Sequence, residues 1–160
     1  ASAPQEALGL MRAAMSNMGQ GIETSAAWVD WARNSKRVND KVGTVGWCFG
    51  GGWSLNASIA RPVDATVIYY GNVTRTVDQL KKLKGPVMGH FGTQDKNINE
   101  KMVNGFVKNM AAADKPLQVY WYDANHAFAN PTGNRYNEPA AKESWARTTA
   151  LAQDEVVGFS

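Results

Sequence analysis

One cysteine in 160 residues is the first scarcity in this sequence. With Cys48 alone, no internal disulfide forms and no thiolate cluster holds zinc; a single reactive thiol is still allowed. No apolar run comes near the roughly 18 residues needed to cross a bilayer, so no membrane partner is expected. The opening stretch Ala1–Glu6 has no basic segment followed by an apolar one, the pattern of a secretion signal. A cytoplasmic location is therefore expected, with a periplasmic or secreted one left open if a signal lies upstream. Histidine is scarce too: there are two, His90 and His126. Charge of one sign is not concentrated, since 17 Lys and Arg against 14 Asp and Glu leave +3. Basic residues are not interleaved with aromatics along one face, which argues against a nucleic-acid partner. The densest basic cluster, Lys81, Lys82 and Lys84 before Gly85-Pro86, reads as the solvated end of a helix.

What is present is ordinary for a globular chain: 44% apolar and 19% charged residues, enough for one domain over 1–160 with a proper core. Four β-rich runs stand out, Lys41–Gly46, Ala65–Tyr70, Val87–Phe91 and Leu117–Tyr122. Thr66–Tyr70 and Val119–Tyr122 are nearly continuous β-branched or aromatic residues, as in strands covered on both faces. Helical patterns fill the intervals. Met102, Val103, Phe106, Val107 and Met110 form one stripe, with Asn99 as its cap. Pro4–Met18 and Thr24–Asn34 also read as helices; in the second, Trp28, Trp31 and Ala32 share a face. A run from Trp53 to Ala60 follows the first strand, and a last helix starts near Pro139, with Ala141 and Trp145 one turn apart. Strands joined by helical crossovers predict an α/β fold with a parallel sheet of about four strands. No repeat, low-complexity tract or linker interrupts it.

The strongest chemical signal is Gly46-Trp47-Cys48-Phe49-Gly50-Gly51-Gly52, after a predicted strand and before a helical run. It has the G-x-nucleophile-x-G form of a nucleophile elbow, with cysteine as nucleophile. A tight strand-to-helix turn pushes that side chain into the cleft, and the crowded backbone calls for neighbours without Cβ. The helix behind it favours thiolate over thiol, and the free N–H of Phe49 points where an oxyanion would form. The alternative is a buried cysteine acting as a small hydrophobe. Of the histidines, His90 lies inside a strand and is expected in the core. His126 follows the last strand, at the end of the sheet where ligands bind in open α/β folds. The acid should lie between nucleophile and histidine in chain order, and Asp95 in Gly92-Thr-Gln-Asp95 satisfies this. It would hold the imidazole N–H and fix its tautomer. Asp123 is a weaker competitor.

These segments resemble the dienelactone hydrolase (carboxymethylenebutenolidase) family, of the α/β-hydrolase superfamily. Gly46–Gly51 is similar to its cysteine elbow, Gly92–Asp95 to its acid loop and His126-Ala-Phe128 to its histidine segment. The intervals, 47 residues from Cys48 to Asp95 and 31 on to His126, also resemble the family's. The similarity runs from about Ala3 to about Ala152. It implies Cys48, Asp95 and His126 as the catalytic set and a small ester or lactone opened through a thioester. It implies no metal and no organic cofactor. It also implies that the fold's first strands and a second oxyanion donor lie in a segment ahead of this sequence. The family's carboxylate-holding arginine shortly after the histidine is replaced by Asn130 here, with Arg135 as a substitute. Without the preceding strands, the elbow strand would be an open edge, so a homodimer or a partner chain is expected to cover it. Two other readings compete. One is an inactive hydrolase remnant serving as an oligomeric interaction module. The other is a flavodoxin-like amidotransferase relative, disfavoured because Phe49 stands where a histidine often follows the cysteine.

Overall fold

The computed structural model describes residues 4–36 and 39–157; Ala1, Ser2 and Ala3, part of the stretch read for a signal, lie outside them. Two helices come first, α1 (Pro4–Ser16) and α2 (Met18–Arg33), then an alternation of strands and helices. The strands are β1 (Gly43–Trp47), β2 (Ala65–Tyr69), β3 (Val87–Gly92) and β4 (Leu117–Tyr122). Between and after them lie α3 (Phe49–Ala60), α4 (Val77–Leu80), α5 (Glu100–Ala112) and α6 (Glu138–Ala152), which runs on into a π-helical turn, Gln153–Val157. The four strands form one parallel sheet in the order β1-β2-β3-β4. The expected α/β architecture is what the chain adopts.

Period-two alternation divides the core between the two faces of the sheet. Ile68, Val87 and Phe91 point to one side, where Leu55 of α3, Leu80 of α4 and Val103, Phe106 and Met110 of α5 cover them. Ala65, Val67, Tyr69 and Met88 point to the other, against Phe128 and Ala140 and Leu151 of α6. Caps fix where the crossovers begin. Asn99 accepts from Met102 N–H at 3.1 Å, as expected, and Asn137 accepts from Ala140 N–H at 3.1 Å, starting α6 one residue before Pro139. A helix ending at the lysine cluster was expected, and the short α4 ends there, with Lys81 as its C-cap. Its signal was Thr76-x-x-Gln79, a complete capping box.

Several expectations need correction. Of the two strands read as covered on both faces, only β2 is buried throughout; β4 is an edge strand and is mostly half-buried. Trp28 and Trp31 do share a face of α2, but it is an outward one: they are 63% and 66% exposed and meet edge to face at 5.4 Å. The α2 residue that is buried is Val29. Within the α5 stripe, Val107 remains exposed while Val103, Phe106 and Met110 go inside.

In the basic cluster, Lys81 and Lys82 are solvated, but Lys84 reaches the buried Asp64 at 2.9 Å. Asp64 also takes Arg33 and Lys41 at 3.2 and 3.6 Å and the N–H of Val42. Burial alone would raise its pKa; the Val42 N–H and the Lys84 and Arg33 charges bring it down to about 2. This cluster ties α2 and the entry to β1 onto the end of the sheet away from Cys48. Along the outer edge of β1, Val45 and Trp47 are 44% and 40% exposed.

Candidate active site

The candidate nucleophile sits where β1 turns into α3. Cys48 is the residue before the helix and adopts φ 56°, ψ −121°, a conformation that costs an L side chain on the order of 1 kcal/mol or more. The turn is held by Cys48 N–H donating to Tyr69 C=O at 3.0 Å and Gly51 N–H donating to Cys48 C=O at 3.0 Å. The glycine requirement applies to only part of the motif. A Cβ at Gly46 would lie 1.9 Å from the Gly50 carbonyl oxygen, and one at Gly51 would lie 2.6 Å from the Tyr69 oxygen. At Gly50 nothing lies within 4 Å, so sterics do not explain that glycine, contrary to the sequence reading. The helix also begins earlier than expected, at Phe49, which places the three glycines inside its first turns.

The two other predicted residues converge on the sulfur. His126 Nε2 lies 3.1 Å from Cys48 Sγ, and its Nδ1 lies 2.6 Å from Asp95 Oδ2. Asp95 follows β3 and is 4% exposed. Its other oxygen accepts from the N–H groups of Asn97 and Ile98 at 2.9 and 3.0 Å, which fixes the carboxylate's orientation. The imidazole is steadied further by its own backbone N–H on Asn125 Oδ1 at 2.7 Å and by the Tyr70 ring, 5.2 Å away. Electrostatics follow from this geometry. The hydrogen bond with His126 holds the Cys48 thiol below its ordinary range against the opposing effect of burial, and the Phe49 N–H on the sulfur adds to the lowering. The same bond to Cys48, with Asp95 behind the ring, raises the pKa of His126. Each group favours the charged form of the other, as in a thiolate–imidazolium pair.

The competing candidates bond elsewhere. Asp123 is exposed and binds Gln94 Nε2 at 2.9 Å, tying two loops together. His90 is fully buried, as expected. A cavity of about 370 Å³ opens over the sulfur. Cys48, Phe49, Tyr70 and His126 line it, with Met11, Met15, Met18 and Trp53 along the apolar part and Asn56, Asn72 and Arg75 along the polar part. Asn130 and Arg135 are not among the lining residues. The Asn130 carbonyl oxygen Oδ1 is occupied by the N–H and hydroxyl of Thr132, at 3.2 and 3.0 Å, and Arg135 is exposed.

Sequence reasoning missed Arg75 and the methionines, although both left signals. Arg75 comes five residues after Tyr70, in a loop at the C-terminal end of β2 where ligands gather in such sheets. Met11 and Met15 are spaced i, i+4 on one face of α1, Met18 opens α2, and all three line the cavity.

Comparison with known proteins gives this arrangement its relatives. The profile of the family described as "Dienelactone hydrolase family" matches residues 1–155. A putative carboxymethylenebutenolidase of Saccharolobus solfataricus is 31% identical over 112 residues, covering 69% of this chain and 43% of the relative. A carboxymethylenebutenolidase of Pseudomonas putida is 31% identical over 131 residues, covering 78% and 53%. The chain thus spans about half the length of the curated relatives it matches. Among solved structures, a putative dienelactone hydrolase from Klebsiella pneumoniae superposes with TM-score 0.69 at 27% identity, covering 78% of this chain and 57% of that one. A dienelactone hydrolase-like promiscuous phosphotriesterase from metagenomic libraries reaches TM-score 0.80 at 19% identity, covering 89% and 64%, which speaks to the fold alone. On the profile match and these identities, the chain belongs to the dienelactone hydrolase family.

Proposed function

We propose that this chain hydrolyses small carboxylic esters or lactones, with Cys48 as nucleophile, His126 as general base and acid, and Asp95 positioning the imidazole. One observation carries the reading: a single imidazole bridges the sulfur at 3.1 Å and a buried carboxylate at 2.6 Å. The thiolate attacks the ester carbonyl carbon, and the developing oxyanion is placed near the Phe49 N–H at the start of α3. Collapse of that intermediate breaks the bond to the leaving oxygen, which takes the proton from His126 Nε2 and leaves a thioester on Cys48. His126, now neutral, removes a proton from water; the hydroxide attacks the thioester carbonyl, and the acid departs as the thiolate reforms. For a lactone both halves stay in one product, a hydroxy acid. The relatives' names, carboxymethylenebutenolidases, support the lactone half of this reading.

Cleavage of p-nitrophenyl acetate with stoichiometric iodoacetamide labelling of Cys48 tests it. Wild-type protein should turn over and Cys48→Ala should not. Equal rates in the two proteins would sink the proposal.

The open edge of β1 supports a partner as well. The strand carries no lysine or proline to blunt that edge, and Val45 and Trp47 are exposed beside it. A second copy paired strand to strand would satisfy both edges by the same contact, as two-fold interfaces do. Light scattering during size exclusion checks this, and a clean monomer counts against it.

A further inference from the structure

The apolar side of the cavity over Cys48 concentrates one residue type that the hydrolytic steps do not use. Three of the chain's six methionines line it, Met11, Met15 and Met18. They are not core residues: Met15 and Met18 are 51% and 37% exposed. Met11 is half-buried, and Ala14 is the only other half-buried residue among the described side chains of α1. Unbranched thioethers bend to fill irregular space. Apolar side chains left open to solvent around a cavity mark a surface that binds.

The rest of the apolar lining is fixed in place. Trp53 Nε1–H donates to Ser25 Oγ at 2.9 Å, so the polar atom of the indole is engaged by α2. The same ring packs so close to α2 that a Cβ at Gly21 would lie 2.6 Å from it. Phe49 tilts against the indole, ring centroids 5.3 Å apart, and Ile98 joins them in the lining. Among the described lining residues there is no Asp or Glu, and the one fixed charge is Arg75, on the polar side. Its guanidinium already donates to Asn56 Oδ1 at 3.1 and 2.7 Å, to the Gly52 carbonyl at 3.1 Å and to the Thr74 carbonyl at 2.7 Å. A charged group laid along thioethers and an indole would lose its water with nothing in exchange, whereas a hydrocarbon chain gains there.

We propose that Met11, Met15 and Met18 are specificity-determining residues, which make this cavity prefer esters or lactones whose non-reacting part is an uncharged hydrocarbon chain. Trp53 and Phe49 give that chain a fixed apolar surface, and the methionines adapt to its length and shape. Selectivity then depends on polarity and size rather than on one hydrogen-bonded group, each buried methylene contributing roughly two- to fourfold to kcat/KM. This inference rests on the hydrolase reading of the same cavity. The hydrocarbon chain stays unchanged through the reaction, since bond making and breaking occur only at the ester carbonyl.

The test varies chain length and charge. The p-nitrophenyl esters of acetic, butyric and hexanoic acid are compared by kcat/KM, each corrected for its spontaneous hydrolysis. The mono-p-nitrophenyl ester of glutaric acid is set against p-nitrophenyl valerate, its neutral counterpart. Because Cys48 is the only cysteine, its alkylation reads the same cavity without turnover. The thiolate adds across the double bond of an N-alkylmaleimide, and the neighbouring ring carbon takes a proton from His126 or water. N-hexylmaleimide is set against N-ethylmaleimide, with glutathione as the reference thiol. In wild type the hexanoate-to-acetate ratio should be roughly 10- to 200-fold, the hexyl-to-ethyl ratio should exceed that of glutathione, and valerate should outrun glutarate. Met11→Gln, Met15→Gln and Met18→Gln combined should cut both length ratios by roughly fivefold or more, while Met11→Leu, Met15→Leu and Met18→Leu combined should retain them. A flat length profile in wild type, a preference for glutarate over valerate, or ratios unmoved by the Gln changes overturn the proposal; the first two need no variant to fold. If no ester is turned over and the maleimide ratios still behave as stated, the apolar cavity stands and the hydrolase reading fails.

Discussion

His90 and His126 lie on neighbouring paths through the same sheet, yet their surroundings lead to opposite chemistry. His90, on β3, is walled in by Tyr69, Tyr120 and Tyr122, with ring centroids 4.5 to 5.8 Å away. Both its nitrogens bond to hydroxyls, Nδ1 to Tyr122 at 2.9 Å and Nε2 to Thr148 at 3.1 Å. Burial pushes its pKa down to about 3, and the nearby Arg147 charge adds to the fall. His126 is only half-buried, its two partners are a thiol and a carboxylate, and its pKa rises. Depth sets the fate of His90, whereas the groups bonded to its ring set that of His126.

That contrast can be broken in graded ways. The largest effect is expected from His126→Ala, which should cut ester cleavage by about 1000-fold or more. It should also return iodoacetamide labelling of Cys48 toward the pH dependence of an ordinary thiol. Asp95→Asn should lower kcat by roughly 1000-fold, since the amide favours the wrong imidazole tautomer; a change below tenfold would mean that the carboxylate is not positioning the ring. His90→Leu should act on stability instead. It leaves the hydroxyls of Tyr122 and Thr148 short of a partner, costing about 1–3 kcal/mol in chemical denaturation while labelling of Cys48 proceeds near the wild-type rate.

The same contrast has a pH dependence. Between the ordinary histidine value of 6.5 and about 3, the unfolded chain binds a proton at position 90 that the folded chain refuses. The stability contributed by a neutral His90 is therefore complete above that window and is lost as the pH falls through it. The melting temperature of wild type should drop over this range more steeply than that of His90→Leu; parallel curves would show that His90 is not the group responsible.

Much of this was legible because it depended on local rules. The glycine-framed cysteine after a β-rich run, an acid and a histidine each following its own strand, and the Asn99 cap all report on backbone geometry near in sequence. What escaped depended on distant neighbours. Trp28 and Trp31 have the spacing of a core face, but whether that face is covered depends on what lies opposite, and here it is turned outward. The β-branched and aromatic run of β4 looks like that of β2, yet β4 ends the sheet and β2 has a partner on each side. Arg75 reads as one more surface arginine until the fold brings Asn56 and the Gly52 carbonyl to its guanidinium. The use of Asn130 in a local turn with Thr132 could have been suspected from the Asn-x-Thr spacing, and it removes that residue from the ligand-facing set.

The empty space around Gly50 makes one stretch of this motif editable. Its two flanking glycines answer to hard contacts, but at Gly50 a methyl group would project into a clearing at the start of α3. Gly50→Ala should stiffen the denatured chain and favour the helix, giving a gain of roughly 0.4–1 kcal/mol. Larger side chains placed there would extend into the groove along the outer edge of β1, beside Val45 and Trp47, a graft point from which that edge can be reshaped without disturbing the turn that aims the sulfur.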